Sequence, residues 1–407
     1  MSKQLIVIGG GAAGFFCAVN AARMDRSLKV TIIEKSNKLL SKVKVSGGGR
    51  CNVTHACFDI AEMSKRYPRG QHFVKKAFHQ FFTTDTISWF EERGVKLKTE
   101  DDGRMFPITD SSQTIIECLL KEANKFGVEI LMNKEVKSLS MINGEWTIKL
   151  SDSRLLTSDY VCIASGGYPK SSMFDWLKEL GHTIEEPVPS LFTFNLPKHP
   201  ITKLMGVSVE KAKVKIQNSK LEEEGPILIT HWGLSGPAVL RLSAWGAREL
   251  KIKNYELRIN INWLPDYNEE TLRKKMQELR NTNASQKIIN KNSFGLPSRL
   301  WEFFAEQSGI KNEWRWADLP LTEQYKFIKN LCSYECEVNG KTTFKEEFVT
   351  AGGIKLNEVD ANTMMSKKVT NLFFAGEVLD VDGITGGFNF QHAWTSGFVA
   401  AKSIAEK

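Results

Sequence analysis

The chain has 407 residues, of which 42% are hydrophobic, which exceeds what one hydrophobic core usually serves and predicts two or three compact units. The net charge of +8 is spread along the chain, with acidic runs such as Glu222–Glu224 among the lysines, which argues against a basic nucleic-acid-binding arm. No stretch approaches about 18 uninterrupted apolar residues, and the seven cysteines form no CxxC pair or zinc-type cluster, so we expect a soluble, cytoplasmic protein without membrane segments or metal.

The amino-terminal segment predicts a βαβ unit. Leu5 to Ile8 is a buried strand, glycines and an Ala-rich helix follow through Arg23, and Lys29 to Glu34 is a second strand. Helical spacing of apolar residues recurs from Phe73 to Arg93 and from Ser111 to Phe126. A strand is predicted at Val128–Met132, and an antiparallel meander at Glu135–Ser140, Glu145–Leu150 and Asp159–Ala164.

Four prolines, from Pro187 to Pro200, mark a change in the composition of the sequence, and we place a domain boundary there. Beyond them, mostly β-type segments are predicted at Val207–Ile216, Pro226–Thr230 and Tyr255–Ile261, followed by a helical stretch from Asp266 to Tyr325. Val338–Phe348 is predicted as a strand. Asn371–Phe374, a glycine-rich loop and an amphipathic last helix indicate a return to the first domain.

Gly9, Gly10, Gly11, Ala12, Ala13 and Gly14 follow a strand and open a helix, which is the context that the dinucleotide fingerprint requires. Gly9 permits the tight turn, Gly11 lets the backbone approach a pyrophosphate, and Gly14 lets the helix pack closely on the strand. Glu34, twenty residues beyond Gly14, is placed to accept hydrogen bonds from the adenosine ribose. The alternative, a glycine-rich structural turn, does not explain this acidic residue.

A second glycine-rich loop comprises Ser46, Gly47, Gly48, Gly49, Arg50, Cys51 and Asn52. Its backbone amides could surround a phosphate or the edge of a flavin, and Arg50 adds positive charge. Because an NAD-only enzyme has no evident use for such a loop, it favours FAD over NAD; a flexible linker is the alternative. The position beside Arg50 predicts a lowered pKa for the Cys51 thiol.

The third element begins at Phe373–Glu377 and continues through Asp380, Asp382 and Gly383 to Thr385–Asn389, where the last helix starts. Its pattern predicts an acidic residue beside the ribityl chain and a helix N-terminus near the flavin N1 and C2 carbonyl, where negative charge develops on reduction. Alternatively, these glycines only cap the terminal helix.

With Val349–Gly353 added, these motifs resemble the bacterial family of NAD(P)/FAD-dependent oxidoreductases that contains BaiN and aminoacetone oxidase, over essentially the whole chain. The resemblance implies an α/β fold: an FAD-binding Rossmann-like domain of the glutathione-reductase type, with an inserted β-barrel-like and helical domain. The FAD domain would comprise residues 1–189 and 344–407. The insertion would comprise residues 190–343, as a β-rich part (190–265), a helical part (266–330) and a returning strand (331–343).

The resemblance implies FAD contacts at most of the positions already described and at several more. We expect cofactor binding by Gly9, Gly11, Ala12, Ala13, Gly14, Glu34, Lys35, Ser46, Gly47, Gly48, Gly49, Arg50, Cys51, Asn52, Val136, Ser165, Gly166, Gly376, Glu377, Asp380, Gly386, Gly387, Phe388, Asn389 and Gln391. One departure lies after Pro169, where the family's TGSTGDGY-like stretch is replaced by Lys170–Asp175, and this leaves the substrate open.

Side chains for substrate chemistry are less well defined by the pattern. The catalytic candidates are His231 and Ser235 in a turn-and-helix-start motif, for which a structural turn is the alternative, and His392 on the last helix, for which the alternative is a surface or cofactor-shell residue. Arg104 is the fourth candidate, with an ordinary loop ion pair as its alternative. We read Cys332 and Cys336, four residues apart, as packing residues on one helical turn.

Together these features predict an FAD-dependent oxidoreductase that acts on a small organic substrate by hydride transfer through flavin N5. Reduction of a conjugated C=C bond and oxidation of an amine both remain open, as does the oligomeric state. Because no second GxGxxG is visible, any NADH or NADPH would bind transiently. The other classes to be tested are a flavoprotein that modifies nucleic acid and a flavin-binding regulator without turnover.

Overall fold

The computed structural model of the chain describes residues 2–290, 292–342 and 349–407. The chain forms two compact units, one made of residues 1–190 and 344–407 and the other of residues 191–343. The first unit is therefore assembled from both ends of the chain, whereas the second is continuous in sequence.

The first unit begins, in chain order, with β1 (Gln4–Ile8), α1 (Ala12–Met24), β2 (Lys29–Ile33), α2 (Ser41–Gly49), β3 (Thr54–His55), α3 (Ile60–Ser64), α4 (Gln71–Phe78), α5 (Thr83–Glu91), β4 (Leu97–Thr99), β5 (Arg104–Pro107), α6 (Ser112–Lys125), β6 (Glu129–Leu131), β7 (Val136–Ile142), β8 (Glu145–Leu150), β9 (Leu155–Ser158), β10 (Tyr160–Ile163), α7 (Asp175–Lys178) and β11 (Ile184–Ser190). After the second unit, it is completed by β19 (Val349–Ile354), β20 (Leu372–Phe374) and α13 (Phe388–Ala405).

The central sheet of the first unit is parallel and has the order β20-β10-β1-β2-β6, where β20 is Leu372–Phe374. β1 lies in the middle, and Leu5, Ile6, Val7 and Ile8 are all buried, as expected for a strand covered on both faces. On one face α1 packs against α13 (Phe388–Ala405), and the ring of Phe16 lies 5.2 Å from that of Trp394. The fingerprint turn therefore sits at the carboxyl end of a central strand.

Two predictions about this unit are wrong in part. The predicted helix from Phe73 to Arg93 is two helices, α4 and α5, because Phe82 adopts an extended conformation and donates its backbone N–H to Asp85, which caps α5. The antiparallel meander consists of β7, β8 and β9, and the segment predicted as its last strand is β10, which joins the parallel sheet.

Two strands at the boundary of the first unit pair antiparallel: β11 pairs with β19 (Val349–Ile354). Ser190, the last residue before the second unit, lies opposite Val349 in this register. Ser190 and Val349, the first residue described after 342, are thus paired in this sheet.

The second unit consists of β12 (Thr193–Asn195), β13 (Ser208–Ile216), β14 (Glu222–Ile229), β15 (Gly233–Ser235), α8 (Pro237–Trp245), α9 (Ala247–Ile252), β16 (Glu256–Asn262), α10 (Glu269–Thr282), α11 (Ser298–Gln307), α12 (Leu321–Cys332), β17 (Tyr334–Asn339) and β18 (Lys341–Thr342).

Its strands form one seven-stranded sheet in the order β17-β16-β13-β14-β15-β12-β18. The core includes Trp263, Trp301 and Trp316, all fully buried. Cys332 ends α12 and Cys336 lies in β17, so the reading that places them on one helical turn is wrong. Of the predicted strand Val338–Phe348, residues 343–348 lie outside the described residues. Among the helices that the structure describes, none has the length and apolar character needed to cross a bilayer.

Candidate dinucleotide site

The fingerprint turn has the backbone geometry that its glycines predict. Gly9 has φ +118°, and a Cβ there would lie 2.3 Å from the carbonyl oxygen of Ala164. A Cβ on Gly14 would lie 1.9 Å from the carbonyl oxygen of Gly9, so α1 can approach β1 only with glycine at this position. A Cβ on Gly11, by contrast, would meet nothing within 4 Å. The turn therefore leaves an open face at the N-terminus of α1, which fits a pyrophosphate.

Glu34 follows the end of β2 and lies against the fingerprint turn. Its Oε2 accepts a hydrogen bond from the backbone N–H of Gly10 at 2.8 Å, and its Oε1 accepts from the N–H and hydroxyl of Ser36 at 2.9 and 2.8 Å. These bonds fix the carboxylate and leave acceptor capacity for a ribose hydroxyl. The neighbouring Lys35 places its ammonium 5.5 Å from the ring centre of Tyr168.

The second loop is partly helical and then turns into left-handed backbone. Within α2, Ser46 has ψ 147°, and Gly47, Gly48 and Gly49 have φ of 58°, 69° and 87°. A Cβ on Gly48 or Gly49 would meet nothing within 4 Å, so these two residues present backbone to open space. This is the cradle that a phosphate or flavin edge requires.

The glycine-rich loop contacts the N-terminus of α13. The side chain of Asn52, in the amide orientation that satisfies both of its ends, accepts from the N–H of Gly387 at 2.9 Å and donates to the carbonyl of Thr54 at 3.0 Å. His55 Nδ1 lies 3.0 Å from the carbonyl oxygen of Gly386, and its ring stacks on Phe388 at 4.7 Å. The structure therefore brings together two motifs that are more than 300 residues apart in sequence.

Arg50 is held by acidic residues and a ring. Its guanidinium lies 2.5 Å from Glu100 and 3.6 Å from Asp110, and 4.0 Å from the ring centre of Phe106. The hydrogen bond with Glu100 raises the pKa of Arg50. Its positive charge is thus shared with carboxylates that the sequence motif does not contain.

Cys51 is fully buried, and the prediction of a lowered thiol pKa is wrong. Burial raises the pKa of the Cys51 thiol to about 12, because the thiolate would lose its hydration.

We therefore expect Cys51 to resist alkylation. In native protein treated briefly with iodoacetamide at pH 8, peptide mass spectrometry should find Cys51 unmodified, because its thiol is buried and protonated. Half-buried Cys57 is the internal comparison and should be modified first. Modification of Cys51 at a rate equal to that of Cys57 would contradict this assignment.

The carboxy-terminal motif is fixed by buried hydrogen bonds. Gly376 has φ +75° and donates its N–H to the hydroxyl of Ser396 at 2.8 Å. Glu377 accepts from the N–H of Thr350 at 2.8 Å and pairs with Lys42 at 2.5 Å. Asn389 bridges the N–H and carbonyl of Gly383, both at 2.9 Å. These contacts hold the loop at the N-terminus of α13 in one conformation.

The remaining predicted contacts lie around these loops. Gln391 is buried and accepts from the hydroxyls of Thr54 and Thr86. Gly166 has φ +76°, Val136 begins β7, and Asp380 donates its backbone N–H to the carbonyl of Ile354.

The buried polar atoms without a hydrogen-bond partner among the described residues include Ser165 Oγ, Thr350 Oγ1 and His392 Nδ1. Ser165 adjoins the fingerprint turn, since its Cα lies 2.9 Å from a Cβ built on Gly9. An unpaired buried polar atom is costly, so the position of Ser165 Oγ next to the fingerprint turn fits a polar cofactor. Burial lowers the pKa of His392 to about 4, so the imidazole is neutral near pH 7.

The four catalytic candidates fall in both units. In the first unit, Arg104 pairs with Asp102 at 2.7 Å and with Glu100 at 3.0 Å, and His392 Nε2 lies 3.3 Å from the carbonyl oxygen of Gly376. In the second unit, His231 is exposed in the turn between β14 and β15, and Ser235 ends β15.

The sequence motifs did not single out three residues that hold the site. Lys42 pairs with Glu377, His55 supports Gly386, and Arg69 forms a buried pair with Asp382. His55 follows Asn52 by three positions, so an extension of the glycine-loop motif could have included it. No local signal marks Lys42 or Arg69.

A parallel sheet with a glycine turn, an acidic residue at the end of β2 and a second glycine cradle define a Rossmann-type FAD-binding domain. The chain belongs to the family described as the HI0933-like protein Rossmann domain, whose model matches residues 3–403. The predicted fold class, the resemblance to the family that contains BaiN, and the assignment as an FAD-dependent oxidoreductase are thereby confirmed.

Two relatives align with the chain over nearly its full length. The ribosomal RNA dihydrouridine synthase of Escherichia coli is 31% identical over 98% of this chain and 97% of its own length. The 3-dehydro-bile acid delta(4,6)-reductase of Clostridium scindens is 27% identical over 100% of each chain.

Solved structures of flavoenzymes share the fold. A flavocytochrome c3 fumarate reductase matches with a TM-score of 0.52 and 17% identity, over 99% of this chain and 78% of the other. The 3-ketosteroid-delta4-(5alpha)-dehydrogenase of Rhodococcus jostii matches with a TM-score of 0.51 and 12% identity, over 98% and 97%.

Proposed function

We propose that the chain reduces a carbon–carbon double bond conjugated to a carbonyl, and that its substrate is a uracil base in ribosomal RNA. The observation that carries the proposal is the alignment, at 31% identity and nearly full length on both sides, with a ribosomal RNA dihydrouridine synthase. Dihydrouridine is uridine with hydrogen added across its C5=C6 bond, which is conjugated to the C4 carbonyl. The name of the Clostridium scindens relative also describes a reduction, so reduction is favoured over amine oxidation.

The distribution of charge supports RNA over a small molecule. Counted by unit, residues 191–343 contain 23 Lys and Arg against 17 Asp and Glu, whereas the first unit contains 32 against 30. The second unit therefore holds most of the net charge of +8. A concentrated positive charge is the electrostatic requirement for binding phosphates.

Bound FAD would supply a hydride to the electron-poor carbon of the conjugated bond. Gly11 and the N-terminus of α1 would bind its pyrophosphate, Glu34 its ribose, and Gly48 and Gly49 its flavin edge. The N-terminus of α13, capped by Gly387, carries the positive end of a helix dipole and would stabilise negative charge. Neutral His392 adds no charge of its own there. Reduced nicotinamide, NADH or NADPH, is the proposed electron donor and would bind transiently.

The proposal is tested in an Escherichia coli strain that lacks its ribosomal RNA dihydrouridine synthase. Expression of this chain should restore dihydrouridine in ribosomal RNA, as measured by nucleoside mass spectrometry. The control is Gly11→Glu, which places a carboxylate where the pyrophosphate would approach and should restore nothing. Absence of dihydrouridine, together with NADH-dependent reduction of a steroid 4,6-dien-3-one by the purified protein, would instead favour the second relative's type of substrate.

A further inference from the structure

Two loops of the second unit lie side by side at one end of the neighbouring strands β12, β14 and β15. The turn at 230–232, between β14 and β15, packs against the segment 196–206: the N–H of Leu196 donates to the carbonyl of Trp232 at 2.8 Å. On the other side, the N–H of Gly206 donates to the carbonyl of Ile229 at 2.9 Å. The two loops therefore form one continuous surface.

This surface is positive and lacks acidic residues in its own segments. Residues 191–209 and 225–247 contain no Asp or Glu. Lys198 and Lys203 are exposed, and neither has an ion pair among the described residues. Arg299, from α11, donates to the carbonyls of Lys203 at 3.1 Å and Met205 at 3.4 Å, which adds a third cation.

The lysines of β13 are paired with acidic residues. Lys213 and Lys215 on β13 lie 2.7 and 3.8 Å from Glu222 on β14, and Lys211 pairs with Asp266. In cross-strand pairs of this kind, the carboxylate offsets the positive charge of the lysine, so little of that charge remains to attract an anionic ligand. Lys198, Lys203 and Arg299, beside the 230–232 turn, have no such acidic partner among the described residues, so their charge is available to a ligand.

Aromatic rings lie next to these cations. His231 is exposed, and its ring centre is 4.2 Å from that of Trp232 at an interplanar angle of 80°. Trp232 is half-buried, and its Nε1 donates to the hydroxyl of Thr193 at 3.1 Å, which fixes the indole. Proteins that bind single-stranded nucleic acid combine cations that follow the backbone with aromatic side chains that stack on bases.

We propose that the surface formed by Lys198, Lys203, His231, Trp232 and Arg299 binds a single-stranded segment of RNA. The cations contact phosphates, and the exposed ring of His231, which lies edge-on against Trp232, stacks on a base. The inference rests on the proposed function, because it identifies where the RNA substrate is bound. It assigns to the 230–237 motif a binding role instead of a purely structural turn.

The test compares two double variants with the same change in charge. Lys198→Ala/Lys203→Ala removes two unpaired cations, and Lys213→Ala/Lys215→Ala removes two that are paired with Glu222. Binding of the FAD-loaded full chain to a fluorescent uridine-rich RNA is measured by anisotropy from 50 to 200 mM salt. The slope of log K against log salt should become shallower by about 1.4 in the first variant, at about 0.7 per lost phosphate contact. At low salt its affinity should fall by about tenfold, whereas the control should stay within about twofold of wild type.

Flavin content and melting temperature, compared with wild type, show that each variant is folded. Equal slopes and affinities for the first variant and wild type would overturn the proposal, as would an equal loss in both variants. Dihydrouridine formation separates the two hypotheses. If wild type binds RNA in a Lys198- and Lys203-dependent manner but forms no dihydrouridine, the surface stands and the proposed reaction fails. If the variant modifies RNA with wild-type kcat/KM, the reaction stands and the surface fails.

Discussion

Replacing Gly11 with alanine is expected to leave the chain folded and to weaken FAD binding by about tenfold or more. At φ −93° an L-residue is unstrained, and the added Cβ meets no protein atom within 4 Å. The methyl group would instead occupy the open face that a pyrophosphate needs for contact with the backbone. A tenfold loss corresponds to about 1.4 kcal/mol. Titration of the flavin-free protein with FAD, followed by fluorescence quenching, gives the affinity.

Gly14→Ala is the matched control, because it adds the same methyl group three residues further on. Its Cβ would lie 1.9 Å from the carbonyl oxygen of Gly9, so α1 must move away from β1. We expect a loss of about 3 kcal/mol in the free energy of unfolding, or more, and a lower melting temperature even without FAD. Gly11→Ala protein that melts early and binds FAD normally would contradict the assignment of the open face.

The second large effect is expected at the buried ion pair between Arg69 and Asp382. The Asp382 side chain is fully buried. It accepts hydrogen bonds from Arg69 Nε at 2.5 Å and from the hydroxyl of Ser190 at 2.8 Å. Burial raises the pKa of Asp382, and Arg69 opposes that rise. Arg69→Met leaves the buried carboxylate without its counter-ion, so the free energy of unfolding should fall by about 3–5 kcal/mol, as measured by urea denaturation.

An exposed pair in the second unit provides the comparison. Arg258 and Glu337 lie 2.8 Å apart, and each side chain is 65% exposed, so Arg258→Met should cost no more than about 1 kcal/mol. The double variant Arg69→Met/Asp382→Leu removes both buried charges and should recover much of the stability lost in Arg69→Met. Equal losses for Arg69→Met and Arg258→Met would show that the buried pair has no special importance.

The parts of the site that the sequence predicts are those that depend on local chain geometry. The strand–glycine–helix order, the closeness that requires Gly14 and the position of Glu34 all arise within one βαβ unit. Their residue types carry the physical requirement directly: no side chain at a close contact, and a carboxylate at the end of a strand.

The features of the site and fold that the sequence does not predict depend on contacts between residues that are distant in sequence. The partners of Arg50, namely Glu100 and Asp110, lie fifty or more positions away, so a motif that contains only Arg50 overstates its free charge. The Cys51 thiol is perturbed by burial and not by its charged neighbour, which local spacing cannot indicate. β10 belongs to the parallel sheet because it pairs with β1 and β20, which are distant in sequence. Its closeness in sequence to β7, β8 and β9 wrongly predicts that it is part of their antiparallel meander.

The order of assembly during translation follows from the sheet order β20-β10-β1-β2-β6. β20 and α13 are encoded at the end of the chain, yet β20 completes the central sheet beside β10, and α13 covers α1. The second unit, continuous from 191 to 343, is synthesised in full before either of them. The nascent chain therefore carries a finished second unit and an unfinished first one, with the apolar face of α1 uncovered. FAD bound as proposed at the N-terminus of α13 can be enclosed only after that helix has been synthesised, and a premature stop before residue 372 would leave the face of α1 exposed to chaperones and proteases.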